Sequence, residues 1–138
     1  MRIIAVRRDD RFSPNSVEKD KAILQAVCNR LPYDVAMIDE CKLSENDEAD
    51  IFLSMARLPE TLTLLKAKED AGAVVVNSAY GVEACGRSML DNLMRNNNIP
   101  VPPAEGNHGY WLKRGDAAAQ SKSDVVYCQD RATLAEKE

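Results

Sequence analysis

Four short apolar runs, set apart by stretches with helical spacing, constrain this chain more than any other feature. Ile3-Ile4-Ala5-Val6 comes first. The stretch 33–38 follows, then Ile51-Phe52-Leu53-Ser54-Met55 and Ala73-Val74-Val75-Val76. Each reads as a strand, and Ile3-Ile4-Ala5-Val6 is continuous enough to be buried on both faces, as strands of a parallel sheet are. Between them lie helical patterns. Val17, Leu24, Val27 and Leu31 mark the buried face of one, Asn15 or Ser16 can cap it, and Pro32 ends it. Leu58, Leu62 and Leu65 mark the face of a second, which begins near Pro59 and stops at Gly72. Parallel neighbours need a crossover of about a dozen residues, so this alternation predicts an α/β fold, an open and mainly parallel sheet with helices on its faces.

Ligands of such sheets sit at the carboxyl ends of the strands. That makes four loops candidate site material: 7–13, 39–41, 56–58 and 77–81. The first carries Arg7, Arg8 and Arg11, which can meet an anionic substrate or pair with Asp9 and Asp10 on an exposed loop. The last carries Asn77 and Ser78. The glycine patterns that cradle dinucleotides or nucleotide phosphates are missing, since no Gly-x-Gly-x-x-Gly follows the first strand and no Gly-x-x-x-x-Gly-Lys occurs. Asp9-Asp10 invites comparison with a phospho-receiver domain, but the third strand ends in Ser54-Met55-Ala56-Arg57, without the aspartate that chemistry needs.

Past the fourth strand, Val82, Cys85, Met89 and Leu93 predict a long amphipathic helix that stops at Asn96-Asn97-Asn98. Ile99-Pro100-Val101-Pro102-Pro103 cannot stay helical, because proline lacks the donor and fixes φ, so it reads as a semi-rigid linker. Two domains follow from this, 1–103 and 104–138. The second opens on Tyr110-Trp111-Leu112-Lys113-Arg114, where strand alternation puts Trp111 and Lys113 on one face. A small-residue loop leads to a second strand, Val125 to Cys128, and Asp130 can cap a last helix.

Composition excludes several classes. With 45% hydrophobic and 29% charged residues, and no apolar run near the roughly 20 residues a membrane span needs, no membrane role is expected and a cytoplasmic location is. A net charge of −4 argues against nucleic-acid binding, which needs a basic face. Cys28, Cys41, Cys85 and Cys128 stand far apart with His108 the single histidine, so neither a metal site nor a redox pair is read from them.

The order of the pieces resembles the start of an ATP-grasp ligase. The resemblance rests on Val75-Val76-Asn77-Ser78, Gly86-Arg87-Ser88-Met89-Leu90, Asn98-Ile99-Pro100-Val101-Pro102, Trp111-Leu112-Lys113-Arg114 and Asp124-Val125. It implies a Rossmann-like domain preceding a partial hairpin of an ATP-clamping lobe. It also implies a parent reaction in which ATP and Mg²⁺ activate a small-molecule carboxylate as an acyl phosphate for attack by an amine or thiol. Lys113 matches the family's phosphate-contacting strand lysine and Arg87 its helix cation, and Arg114, which stands where many relatives have proline, joins them as a candidate ATP phosphate contact. The adenine hinge and the Mg²⁺ ligands would then lie past residue 138, leaving a fragment that does not turn over by itself. Beside this stand blander readings. Lys113 can be a solvated edge lysine. Arg87 falls in the row Glu83, Arg87, Asp91, Arg95, the spacing of a solvated helix face. The chain can equally be a non-catalytic α/β module that binds a ligand or forms a homodimer through its hairpin or sheet edge.

Overall fold

A computed structural model describes residues 1–103, 105–113, 115 and 124–137. The chain divides into two compact units, Met1–Ala84 and Cys85–Glu138. The proline run and the helix before it therefore group with the hairpin, whereas the sequence suggested a division after Pro103.

In the first unit, strands β1 (Ile3–Arg7), β2 (Val35–Asp39), β3 (Ile51–Ser54) and β4 (Val74–Val76) form one sheet in the order β2-β1-β3-β4. Every pairing is parallel, with Ile3 opposite both Val35 and Ile51, and Ile51 opposite Val74. This is the sheet that the alternation of apolar runs predicts. β1 has a strand on each side and a helix over each face, which is why Ile3, Ile4, Ala5 and Val6 are all buried. β4 differs from the expectation of a fully buried strand. Only Val75 is buried, while Val74 and Val76 are exposed, because β4 lies at the sheet's edge.

Helix α1 (Val17–Cys28) covers one face through Leu24 and Cys28, packed with Ala5. The spacing had favoured Val27, which is exposed; the true contact stripe is the i, i+4 pair Leu24 and Cys28. Helix α2 (Pro59–Asp70) covers the other face, where Leu62 and Leu65 pack against Ile4, Val6, Phe52 and Val75. Pro59 starts α2 at a position whose amide has no helical partner in any case. Gly72, at φ +99°, ends it: the Gly72 amide donates to the Glu69 carbonyl and the Ala73 amide to the Lys68 carbonyl, both at 2.9 Å. Those two bonds satisfy carbonyls that the helix end leaves open.

The long helix expected after β4 is two. Helix α3 (Ala79–Ala84) and helix α4 (Arg87–Asn96) are separated at Cys85-Gly86, where Gly86 takes an extended conformation, φ −55° and ψ 139°. A glycine inside a helical pattern lowers the cost of such a break.

In the second unit, α4 ends as the asparagine run predicts. Asn98 sits at φ +55°, its amide donates to the Arg95 carbonyl, and the Ile99 amide donates to the Met94 carbonyl at 2.9 Å. Strands β5 (Tyr110–Lys113) and β6 (Val125–Cys128) form an antiparallel two-stranded sheet, with Tyr110 opposite Cys128 and Lys113 opposite Val125. Helix α5 (Arg131–Ala135) follows, and the Asp130 carboxylate accepts from the Thr133 amide at 2.8 Å. Among the described residues no helix is long and apolar enough to cross a membrane.

Candidate functional site

At the carboxyl end of the parallel sheet, every basic residue singled out from the first loop has an acidic partner. Arg7 is the last residue of β1, and its strand neighbour in register is Asp39. Its Nε donates to Asp39 at 2.7 Å and its Nη1 to Asp10 at 2.6 Å. These bonds, Asp39 first, hold the guanidinium charged and push its pKa up. In return the Asp39 carboxyl is held below its ordinary value, by Arg7 first and then by Lys42. Arg8 donates to Asp20, and its Nε is buried with no partner among the described residues. Arg11 forms a fork on Asp9 at 2.9 and 3.2 Å, and this bond is the main cause of the lowered Asp9 pKa. Of the two readings open for these arginines, pairing within the loop and with its neighbours describes all three, Arg8 through Asp20 on α1.

Beneath these pairs lies a group that sequence reasoning passed over. Glu40, the residue after β2, is 1% exposed. One carboxylate oxygen accepts from the Asp9 amide, and the other accepts from the Arg57 and Leu58 amides at 2.7 and 2.8 Å. Its own carbonyl accepts from the buried Thr61 hydroxyl at 3.1 Å. Glu40 thus draws three of the four candidate loops, 7–13, 39–41 and 56–58, onto one carboxylate. A buried charge is tolerated when its hydrogen bonds are made in this way. The fourth loop joins through Asn77, which sits at φ +61° and donates from its side-chain amide to the Ser54 carbonyl at 2.7 Å. Ser78 is exposed, and its carbonyl accepts from the Val82 amide as α3 begins.

The hairpin presents the other candidate surface. Trp111 and Lys113 are exposed on one face of β5, while Tyr110 and Leu112 are half-buried on the other, the alternation expected of a strand. Trp111 is 65% exposed and tilts against Tyr127 across the hairpin, with ring centres 5.2 Å apart. The cation–π contact found among the described residues is elsewhere, with Lys66 over the Tyr80 ring at 5.3 Å. Lys113 makes no ion pair with any described residue. Tyr127 donates its hydroxyl to the His108 carbonyl at 3.0 Å. Arg87 is the first residue of α4, exposed and already engaged in an interaction. The predicted charge row does not form intact, since the break at Gly86 separates Glu83 from α4 and Glu83 instead accepts from Lys66. Within α4 the Arg95–Asp91 pair remains, at 2.7 Å. Arg114 and most of the small-residue loop lie outside the described residues.

A concavity of about 480 Å³ opens at the opposite, amino end of the parallel sheet, lined by Arg2, Asp50, Lys68 and Gly72 among others. None of the candidate residues lines it. Among the described residues no group of three or more histidine, cysteine, aspartate or glutamate side chains is placed to hold a metal ion.

The chain matches no family model, no curated protein and no solved structure.

Proposed function

We propose that this chain is the amino-terminal part of an ATP-grasp-type ligase that joins a small carboxylate to an amine or thiol. In this reading the first unit is a Rossmann-like domain that presents the carboxylate, and the hairpin is the start of the lobe that binds ATP. The observation that carries it is the setting of Lys113. Its ammonium stands exposed on a two-stranded sheet distinct from the parallel one, next to an exposed indole, in a hairpin that follows a proline run.

The residues fit part of the group. An exposed ammonium suits a phosphate oxygen, and the open Trp111 face suits a purine or a cation. The described residues assemble no metal site, so Mg²⁺ has no assigned ligands. ATP, when bound, supplies the phosphoryl group that activates the carboxylate. Lys113 offsets the negative charge of the phosphates and holds them in place, with Arg87 as a second cation at the start of α4. On the parallel sheet, Arg8 and the Asn77–Ser78 turn orient the carboxylate, while Arg7 and Arg11 hold the loop that carries Arg8.

A second reading is favoured by a different observation. Arg7 and Arg11 are paired internally and Glu40 already occupies the crevice between the strand ends, which suits a binding module without catalysis. Fluorescence of Trp111 during titration with ATP, inorganic tripolyphosphate and adenosine separates the two. The ligase reading expects a saturable change with ATP and with tripolyphosphate and a smaller one with adenosine. A flat response to all three would remove Lys113 and Trp111 from a nucleotide site and favour the module.

A further inference from the structure

In the order β2-β1-β3-β4, the chain leaves β1 for α1 on one face and leaves β3 for α2 on the other. The loops that follow β1 and β3 therefore turn toward opposite faces, although the strands stay paired to their ends, and leave between them the crevice where open α/β sheets receive their ligands. Backbone amides from both sides point into that crevice, Asp9 from the loop after β1, and Arg57 and Leu58 from the loop after β3. Two of them lie at the start of α2, where the partial positive charge of a helix end adds to their pull on an anion. The anion they hold is already visible. It is the chain's own Glu40 carboxylate, delivered from the end of β2 and buried to 1% exposure, with its backbone fixed in turn by Thr61.

We infer that Glu40 is a built-in anion that fills the ligand crevice of the sheet and ties its three loops together, and that removing its side chain opens a site for a small free carboxylate. A substrate anion then has to be met above the crevice, at Arg8 or the Asn77–Ser78 turn, and not inside it. The inference rests on the first unit alone and is independent of the nucleotide reading.

Three consequences make it testable. Glu40→Ala leaves three inward-facing amides without an acceptor and space for a one-carbon acid. Glu40→Gln keeps the volume filled but brings an amide nitrogen against backbone N–H groups. Wild type keeps the crevice closed. Thermal unfolding of all three, in sodium formate and in sodium chloride of equal ionic strength, is the measurement. The expected result is a lowered midpoint for both variants, with formate raising that of Glu40→Ala only. If Glu40→Ala does not fold in chloride, recovery of its far-ultraviolet circular dichroism in formate is the same result. Formate acting equally on wild type and Glu40→Ala, or on neither, would overturn the inference. Amide hydrogen exchange in folded Glu40→Gln supplies a second readout. Exchange should rise about tenfold or more on the side that meets the new amide nitrogen, at Asp9 or at Arg57 and Leu58, the equivalent of one lost buried acceptor; unchanged protection at all three would contradict the role given to the carboxylate.

Discussion

Replacing Gly109 with alanine should unfold the hairpin and leave the parallel-sheet unit intact. Gly109 precedes β5 at φ +78°, a conformation that costs an alanine about 1–2 kcal/mol. A Cβ there would also meet the Tyr127 hydroxyl oxygen, would lie 2.6 Å from its ring carbon Cζ, and would lie 2.8 Å from the Cys128 carbonyl oxygen. Tyr127 is half exposed and can swing away. Doing so breaks its bond to the His108 carbonyl and its contact with Trp111, at about 0.5–1 kcal/mol each at such an exposed position. The Cys128 carbonyl belongs to β6, and its residue is fully buried, so it has nowhere to go. Together these come to about 2–4 kcal/mol, a shift of roughly 30-fold to 1,000-fold toward the open hairpin. A two-stranded sheet has little stability to spare. Trp111 is the single tryptophan of the chain, so its near-ultraviolet circular dichroism and emission report on the hairpin alone. Gly109→Ala should abolish that signal, while Gly106→Ala, whose Cβ meets nothing within 4 Å, should keep it. A Gly109→Ala protein with an unchanged tryptophan signal and a denaturation midpoint like wild type would refute the reasoning.

Two further outcomes concern the first unit. The Asp39 carboxyl is held below its ordinary value by Arg7, so the stability this pair contributes is present above the unfolded carboxyl pKa and is lost as pH falls through the lower folded value. Acid unfolding of Asp39→Asn should thus show a shallower pH dependence than wild type below about pH 4, and curves of equal slope would contradict the pairing. Phe52 is fully buried in the core that the sheet forms with α2, so Phe52→Ala should cost about 3–5 kcal/mol by urea denaturation, and a loss under 1 kcal/mol would contradict its packing.

Much of the first unit is legible in the sequence because parallel strands buried on both faces must be written as apolar runs, and 3–6 and 51–55 are such runs. Two of the three helix stops are legible for a local reason: Gly72 and Asn98 each adopt a positive φ that few residues tolerate, whereas α1 ends at Cys28, four residues before the proline read as its stop. The alternation of Trp111 and Lys113 on β5 is legible for the same reason, as strand geometry fixes it. What is not legible depends on distant partners. Nothing within Ala73-Val74-Val75-Val76 tells an edge strand from an inner one, since that is set by whether another strand pairs beyond it. Gly86 looks like one tolerated glycine in a helical pattern until the chain bends there. Glu40 is the clearest case: an acidic residue at a strand end reads as solvated, and the three amides that bury it come from positions 9, 57 and 58. The alternation of acidic and basic residues in 7–11 did carry the signal of internal pairing, which Arg7 and Arg11 adopt. The pairing of Arg8 with Asp20 reaches 12 positions along the chain to α1, which no local pattern records.

The nucleotide reading stands or falls on the Lys113 ammonium. Calorimetric titration of ATP and of inorganic tripolyphosphate into wild type and Lys113→Ala tests it most directly. Loss of one charge-assisted contact is expected to weaken both ligands about tenfold, with the tryptophan signal of the folded hairpin retained. Equal affinity of the two proteins for both ligands would contradict the phosphate-binding role proposed for Lys113.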